Sequence, residues 1–599
     1  MFFAIPPDMA YIISEKQERR SNDAPPGGAS ENGLMGIYTE RKISVGGGFV
    51  ILAAAFVALY GVWLLTGPEL ARNEGIYAAA SAEFDIHGPA VATIHNWATP
   101  ECFPLFPLVV HILCRYIGLP IETALRGLSI LMLFAGTILV YLAASARRSC
   151  TAGWVASAMY FSSILALDKS VVGTPATGNA FFLLAAQLLF FEYGVRRSNW
   201  NLAWISAALL LAAGFFNGGV EMPAFFIFPM FFLRRPMSVS SKFRKAGFIA
   251  AIVIVAAAVL WWVKAYNAWP RRISLYDVWW RNLAMTGHFK ELLLFPFHFV
   301  FMLLPWCLIA WLPFCVALQT LDTTPIFSRY LRTLVFANLA LLWLLPELNR
   351  GAYFYVIGPL AILTGEFYEL GMRRYGEKLR RFFVMVEIFM ATVLVCVAAG
   401  CFMPETWLKS MSFISLGNSL AFRGVRYFLV LAAVMLVMAL LLIWYVHACR
   451  RSDPVWMVIL SVSLALALFF NGMMLPYRSQ DRSKHKFGAD IRKALRTQGP
   501  IEKIYTLKVS NLNGGLFYAG FPVHRLESAE ELPRGRGELY LLCPGFPQSA
   551  DFSWKNLLPN EYYYNGHPLA LWKGTPRRSQ RGEEGTDDGA AEEYNGEKK

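Results

Sequence analysis

Residues 67–107 read GPELARNEGIYAAASAEFDIHGPAVATIHNWATPECFPLFP and follow the first long apolar stretch of the chain. Between segments that contain almost no charge, this loop collects Arg72, Asn73, Glu74, Tyr77, Glu83, Asp85, His87, His95 and Glu101. Acids and bases gathered beside a membrane span usually mark a functional site. We therefore expect the chain to be organised around this loop.

The composition is that of a membrane protein. Of the 599 residues, 56% are hydrophobic and 16% are charged, and the mean hydropathy is +0.42. Soluble proteins carry about 25% charged residues. This chain instead contains repeated apolar runs of roughly 18 to 24 residues, long enough to cross a bilayer core of about 30 Å. We predict an all-α polytopic membrane protein.

The net charge of +14 is distributed in a way that argues against a nucleic-acid partner. Arginine pairs lie in short loops at span ends, as in loops that stay in the cytoplasm. These pairs are Arg147-Arg148, Arg196-Arg197, Arg234-Arg235, Arg373-Arg374, Arg380-Arg381 and Arg450-Arg451. The nine cysteines show no CxxC spacing, so we expect neither a disulfide framework nor a zinc site.

Run length and flanking charge predict about thirteen spans. Residues 1–44 are expected to form a disordered cytoplasmic tail, followed by span 45–66 and an outside loop at 67–123. Within that loop, the apolar segment 103–119 is predicted to be a juxtamembrane or re-entrant helix. The later spans are expected at 124–145, 150–167, 175–193, 200–216, 218–233, 246–266, 293–317, 328–345, 352–370, 382–403, 424–446 and 455–473. A second large outside loop then covers 266–292, and the C-terminal part lies outside the plasma membrane.

The composition changes at residue 477, where the transmembrane region 45–476 ends. A helical pattern, GADIRKALRTQG at 488–499, precedes the strand-like IEKIYTLKV at 501–509 and GELYLLCP at 537–544. We expect a small soluble α/β domain at 477–572. Residues 573–599 are rich in Gly, Glu and Asp and are expected to be disordered.

A series of motifs resembles one family. RNEGIY at 72–77, ECFPL at 101–105 and ALRGLSIL at 124–131 resemble the bacterial branch of the protein O-mannosyltransferase superfamily, in particular the aminoarabinose transferases that modify lipid A. Further matches lie downstream, at NGGVEMP (217–223), WWVKAY (261–266), LLPWCLIAW (303–311) and LNRGAYFY (348–355). The resemblance covers roughly residues 45 to 570 and implies a GT-C glycosyltransferase fold.

This resemblance also implies a reaction. The family takes sugars from polyprenyl-phosphate donors at the outer face of the membrane, so we expect a lipid, glycan or protein acceptor there. A general base needs a carboxylate whose pKa is tuned by an apolar wall and by its neighbours. The family match assigns Asn73-Glu74 to the first-loop acidic pair, with Glu74 as the base or acceptor-orienting group. Glu69 is the alternative carboxylate if the loop is aligned differently.

Other family positions concern metal and phosphate. Glu101 matches the family's divalent-metal ligand, which makes a divalent metal ion a candidate cofactor, with His87 and His95 as candidate co-ligands. A phosphate leaving group calls for cations and hydroxyl donors. Candidates on the outside are Arg72, Tyr77, Arg126, Arg271, Arg272, Arg350 and Tyr353. Arg271 and Arg272 could equally extend to lipid phosphates, and the tyrosines could anchor at the interface.

The sequence departs from the family at several positions. Asn73 replaces the first-loop Asp, Cys102 replaces a Lys, and Ala176 falls where the family has a second-loop Asp. The turn at Asn217-Gly218 lacks the family's Lys. Two alternatives to an active transferase therefore stay open: a degenerate member that binds or scaffolds, and a lipid or solute transporter.

Overall fold

The computed structural model describes most of residues 70–275, 289–400 and 485–576, with short gaps, and scattered positions between 53 and 61 and between 436 and 467. The gaps are residues 71, 89, 220, 234–236, 238–241, 346–349, 500, 510–511, 534–536, 548–550, 559–561 and 565–566. The predicted tail 1–44, Glu69 and most of the predicted spans 45–66, 424–446 and 455–473 lie outside the described residues.

The chain divides into two compact units. The first, here called the helical unit, comprises Met1–Pro68, Pro100–Ala268 and Ser274–Asp481. The second, the mixed unit, comprises Glu69–Thr99, Trp269–Ile273 and Arg482–Lys599. Pieces of both predicted outside loops thus fold with the C-terminal region, an assignment that hydropathy alone did not suggest.

Helices account for most of the described chain. In chain order they are α1 Arg72–His87, α2 Leu105–Ile112, α3 Ile121–Ser145, α4 Cys150–Ser162, α5 Ile164–Lys169, α6 Ala176–Phe190, α7 Trp200–Gly218, α8 Glu221–Met230, α9 Ala246–Ala268, α10 Phe289–Leu303, α11 Cys307–Ala310, α12 Val316–Gln319, α13 Pro325–Leu344, α14 Phe354–Gly400, α15 His485–Arg496 and α16 Asn513–Ala519. Two π-helical segments, Leu113–Ile117 and Phe191–Arg196, extend α2 and α6. Short 3-10 turns lie at Leu312–Phe314, Arg350–Tyr353 and Ala529–Glu531.

Within the described residues, four helices are long and apolar enough to cross a bilayer, and the chain is a multi-pass membrane protein. They are Ile121–Ser145, Ala176–Arg196, Trp200–Gly218 and Ala246–Ala268. A bent pair, Leu292–Leu303 and Cys307–Phe314, meets at 108° where one straight span, 293–317, is predicted. The total of about thirteen spans remains a prediction.

One predicted loop is helical. The sequence places two spans, 352–370 and 382–403, on either side of a charged connection, but the structure has a single 47-residue helix, α14. At 1.5 Å per residue, this helix is about 70 Å long, more than twice a bilayer core. The charged connection reads GMRRYGEKLRR, and its Arg, Glu, Lys and Leu residues are good helix formers. These charged residues therefore marked the end of a predicted span, but the helix continues through them.

The helical unit is held by close packing of apolar helices. Gly365 on α14 shows how close: a Cβ there would lie 2.3 Å from the carbonyl oxygen of Ala152 on α4. Small residues permit such contacts between membrane helices, where lipid removes the usual hydrophobic drive for association. Buried aromatic rings, among them Trp262, Trp306 and Tyr330, fill the larger spaces.

The mixed unit is built on a β-sheet with two flanking helices. Its strands are β3 Ile504–Leu507, β4 Val523–Leu526, β5 Leu539–Pro544, β6 Phe552–Asn556, β7 Tyr563–Tyr564 and β8 His567–Pro576. The sheet order is β4-β3-β5-β8-β6, with β3 parallel to β4 and β5, β8 antiparallel to β5 and β6, and β7 paired to β8. A two-stranded hairpin, β1 Thr93–Ile94 and β2 Trp97–Ala98, belongs to the same unit.

Both faces of this sheet are covered. On one face, Ile504 and Leu542 pack with Ile491 of α15 and Leu516 of α16. On the other face, Tyr505 and Leu541 belong to a separate cluster. Burial on both sides explains the continuous apolar runs in β3 and β5. The helix and both strands lie where the sequence predicts them, but β8 continues through Pro576, into the segment predicted as a disordered tail from Lys573.

Candidate functional site

The first-loop residues lie on a helix of the mixed unit. Asn73, Glu74 and Tyr77 occupy the first two turns of α1, which begins at Arg72. Asn73 and Tyr77 are four residues apart and so share a face of the helix. Glu74 is only 1% exposed. The Glu74 carboxylate is therefore shielded from bulk water.

Helix α1 is positioned by a backbone contact with α16. A Cβ at Gly75 would lie 2.3 Å from the backbone nitrogen of Gly514 and 2.6 Å from its Cα. The N–H of Leu70 also donates to the hydroxyl of Tyr518 over 2.9 Å. Since Glu74 directly precedes Gly75, the C-terminal part of the chain fixes the position of the candidate base. This contact could not be predicted from the sequence, because glycines more than 400 residues apart carry no pairing signal.

The far end of α1 holds the β1–β2 hairpin. The Glu83 carboxylate accepts hydrogen bonds from the Thr93 hydroxyl at 2.6 Å, from the His95 N–H and from the Asn96 N–H at 3.3 Å. His95 and Asn96 have φ values of +56° and +68°, as both central residues of a type I′ turn require. Burial raises the pKa of Glu83, and these hydrogen bonds oppose that rise. Glu83 therefore shapes the hairpin.

The His95 side chain makes a contact with another residue of the mixed unit. It is buried, and its Nε2 lies 2.9 Å from the Asn513 Oδ1. Burial lowers the pKa of His95 to about 4, against the hydrogen bond to Asn513, which raises it. The ring is therefore neutral at pH 7. Within the residues that the structure describes, no group of three or more His, Cys, Asp or Glu side chains is arranged to hold a metal ion.

Part of the second predicted outside loop joins the hairpin. The Ala98 N–H donates to the Arg271 carbonyl at 2.9 Å, and the Ile273 N–H donates to the Ala98 carbonyl at 3.1 Å. Arg271 lies 3.9 Å from Glu531, with both side chains partly exposed, so this ion pair is weak. The structure therefore brings Arg271 and Arg272 into the same compact unit as α1.

Basic groups lie near His524 in the mixed unit. Burial lowers the pKa of His524, and the nearby positive charges of Lys503, Arg271 and His87 lower it further. The His87 ring meets the Trp269 ring edge-on at 5.1 Å. Groups from α1, the 269–273 segment and the sheet thus lie close together.

The remaining predicted residues lie in the helical unit. Glu101 is exposed, whereas Arg126, on α3, is only 3% exposed. Arg126 sits against a tight turn, since a Cβ at Gly173 would lie 3.3 Å from the Arg126 backbone nitrogen. The buried Tyr353 ring meets the Phe295 and Phe299 rings edge-on at 5.6 and 6.0 Å. Arg350 begins the 3-10 turn, but its side chain lies outside the description, as do those of Arg72 and Asn73.

Two departures from the family pattern occupy apolar surroundings. Cys102 is fully buried, and burial raises the pKa of its thiol. The next residue, Phe103, stacks on Trp262 at 4.8 Å. Ala176 is the buried first residue of α6. Neither position offers a charge for a phosphate.

Four polar residues that the sequence analysis did not assign meet inside the helical unit. The Asn217 Nδ2 on α7 donates to the Asn179 Oδ1 on α6 at 2.5 Å and to the Pro175 carbonyl at 3.0 Å. Tyr355 on α14 is hydrogen-bonded to both Asn179 and Glu221 of α8. Four helices thus contribute to one hydrogen-bonded group, which we call the amide cluster. The detectable signal was Asn179, an amide inside a predicted span.

Among known proteins, no protein-family model and no curated protein matches this sequence. A crystal structure of ArnT from Cupriavidus metallidurans bound to undecaprenyl phosphate superimposes with a TM-score of 0.64 at 16% identity, covering 88% of this chain and 98% of that one. The apo structure of the same protein gives a TM-score of 0.59 at the same identity and coverage. An oligosaccharyltransferase from Archaeoglobus fulgidus gives a TM-score of only 0.44 at 10% identity, covering 83% of this chain and 66% of that one. The ArnT likeness confirms the fold that the sequence motifs predict.

Proposed function

Because the chain has the GT-C fold, we propose that it is a membrane glycosyltransferase that moves a sugar from a polyprenyl-phosphate donor to an acceptor on the outer face of the plasma membrane. One observation carries the proposal: the fold matches, over nearly all of that protein, a structure that contains undecaprenyl phosphate. Undecaprenyl phosphate is what remains of such a donor after the sugar has left. The acceptor would be a lipid of the lipid A type, a glycan or a protein.

The proposed reaction needs a proton acceptor. As the acceptor hydroxyl attacks the anomeric carbon, the bond from that carbon to the phosphate oxygen breaks, and polyprenyl phosphate departs as an anion. We assign the hydroxyl proton to Glu74, whose buried carboxylate lies on a helix pinned by Gly75 and Tyr518. Asn73 and Tyr77, on adjoining positions of α1, would orient the acceptor by hydrogen bonds.

The departing phosphate needs cations and hydrogen-bond donors. We assign this role to the predicted set Arg72, Tyr77, Arg126, Arg271, Arg272, Arg350 and Tyr353, of which Tyr77 would serve the acceptor as well. Arg126 is the best supported, because burial of a guanidinium in a membrane protein is costly and therefore usually functional. A metal ion at Glu101 has less support, because the described residues supply no group of three ligands. No step here requires one.

A radiolabelled-sugar transfer assay on the purified protein in nanodiscs tests the proposal. Removing a general base typically lowers the rate about 10²–10⁴-fold, so Glu74→Gln should lose at least about 100-fold. Asp85→Asn is the matched control, since Asp85 is an exposed acid on the same helix, and it should retain the wild-type rate. A Glu74→Gln enzyme with more than a tenth of wild-type activity would refute the assignment.

A second candidate is a family member that binds the lipid carrier without catalysis. It is favoured by Asn73 and Ala176, which stand where the family has acids. The same assay separates the two: a binding protein retains the labelled donor but releases no polyprenyl phosphate. A transporter has less support. It predicts charges within spans, yet Lys264 is the only charged residue of α9.

A further inference from the structure

A cavity of about 460 Å³ lies in the mixed unit, on the basic face of α15. Its walls include His485, Arg492, Lys493, Arg496 and Tyr518. The volume is within the usual range for small-ligand sites, about 300–1,000 Å³. No residue assigned to sugar transfer lines it.

The cavity wall is ordered by hydrogen bonds, and its charged residues are all basic. Arg492 donates through Nε to the Ala519 carbonyl at 3.2 Å and through its terminal nitrogen to the Tyr518 carbonyl, which joins α15 to the end of α16. The His485 ring meets the Tyr518 ring edge-on at 4.5 Å. The only acid of α15, Asp490, accepts a hydrogen bond from the Tyr562 hydroxyl.

Lys493 and Arg496 stand three residues apart on the exposed surface of α15, beside Arg492. Together with Arg492, they place three positive charges around the cavity. Three cations around one cavity therefore favour an anionic ligand. Thr497 and Ala489 complete the lining. The Tyr518 ring and Ala489 give the cavity an apolar wall beside its charges.

We propose that this cavity binds the phosphate headgroup of an anionic membrane lipid. Along the chain, α15 begins twelve residues after the last predicted span ends at 473, and Arg478, Arg482 and Lys484 lie between them. Near a membrane surface that contains anionic lipids, each Lys or Arg contributes about 1 kcal/mol of attraction to the headgroups. The cations would hold the phosphate, and the apolar wall would contact the glycerol and the start of the acyl chains.

A lipid bound in this cavity would help to order the candidate catalytic helix, α1. Tyr518 lines the cavity, and its hydroxyl accepts the Leu70 N–H just before α1. Gly514, on the same helix α16, is the residue against which Gly75 packs. Ordering of α16 by the headgroup therefore orders the start of α1. The binding claim does not depend on the proposed glycosyl transfer.

Native mass spectrometry of the full-length protein, released from nanodiscs of phosphatidylcholine with phosphatidylglycerol, tests the site. Wild-type protein should retain phosphatidylglycerol, and K493Q/R496Q should lower its occupancy at least about tenfold. K486Q/K555Q is the matched control, because it removes the same charge from exposed positions of the mixed unit outside the cavity. The control should stay within about twofold of wild type.

Three results would overturn the proposal: no retained phosphatidylglycerol in the wild type, equal losses in the two double variants, or displacement of the lipid by inorganic phosphate at matched concentration. The last would identify a soluble anion as the ligand.

Hydrogen exchange tests whether lipid binding orders α1, separately from any transfer activity. Phosphatidylglycerol should slow amide exchange in residues 70–80 of the wild type, relative to phosphatidylcholine alone. Y518F should still bind the lipid but should lose this difference, because it removes the acceptor for the Leu70 N–H. An undiminished difference in Y518F would contradict the proposed coupling.

Discussion

Replacing Gly75 by alanine tests whether α16 sets the position of Glu74. The added Cβ would lie 2.3 Å from the Gly514 nitrogen, whereas unbonded heavy atoms need about 3.5 Å. The neighbour is backbone, so no side chain can turn away. The two helices must therefore separate locally by about 1 Å.

The expected signature is a large loss of activity with a small loss of stability. Overpacking of this kind costs about 1–3 kcal/mol, and the better helix propensity of alanine offsets about 1 kcal/mol of that. A displacement of about 1 Å at a catalytic group lowers its rate about 100-fold. Gly75→Ala should therefore lose about two orders of magnitude in sugar transfer, while its unfolding free energy falls by about 2 kcal/mol or less.

Gly537→Ala is the matched control. It lies in the mixed unit, and nothing lies within 4 Å of its added Cβ. Transfer assays and thermal unfolding of both variants in the same nanodiscs make the comparison. If Gly75→Ala transferred sugar within about twofold of wild type, the claim that this backbone contact positions the base would be refuted.

Three further outcomes are expected. Because burial lowers the pKa of His95 to about 4 from its usual 6.5, the unfolded chain takes up this proton first as the pH falls. Its contribution to stability is complete above pH 6.5 and falls by up to about 3 kcal/mol toward pH 4. His95→Asn, which tolerates the positive φ, should flatten this part of the pH dependence in denaturant titrations, and an unchanged slope would contradict the reasoning. Asn217→Leu removes two hydrogen bonds of the amide cluster and should lower the free energy of unfolding by about 1–3 kcal/mol. The melting temperature should therefore fall, and an unchanged melting temperature would show that the amide cluster does not stabilise the fold. The buried Cys102 should resist N-ethylmaleimide in the folded protein while the exposed Cys150 is modified, and equal labelling by mass spectrometry would show that the Cys102 segment opens.

The features that could be predicted from the sequence are those that local patterns determine. The long apolar runs specified α3 and α9, and the amphipathic period and strand signals specified α15, β3 and β5. The motif order also predicted the fold that the ArnT structures share. These features depend on residues close together in the chain, where periodicity and composition are informative.

What the sequence could not predict depends on distant contacts. Hydropathy assigned α1 to a loop of the transmembrane region, but its place is set by Gly514 and Tyr518. The pairing of Ala98 with the 269–273 segment likewise joins parts of the chain that carry no complementary pattern. The continuous α14 was missed for a different reason, because charged residues mark the end of a bilayer crossing but do not end a helix.

A mass balance on the wild-type protein shows directly whether it transfers sugar. Purified in nanodiscs, it would be given a labelled polyprenyl-phosphate sugar together with an extract of envelope lipids and glycans. Sugar should leave the donor only when acceptor is present, with one polyprenyl phosphate released for each sugar transferred. A donor that stays bound and intact, whatever acceptor is supplied, would contradict the proposed transfer.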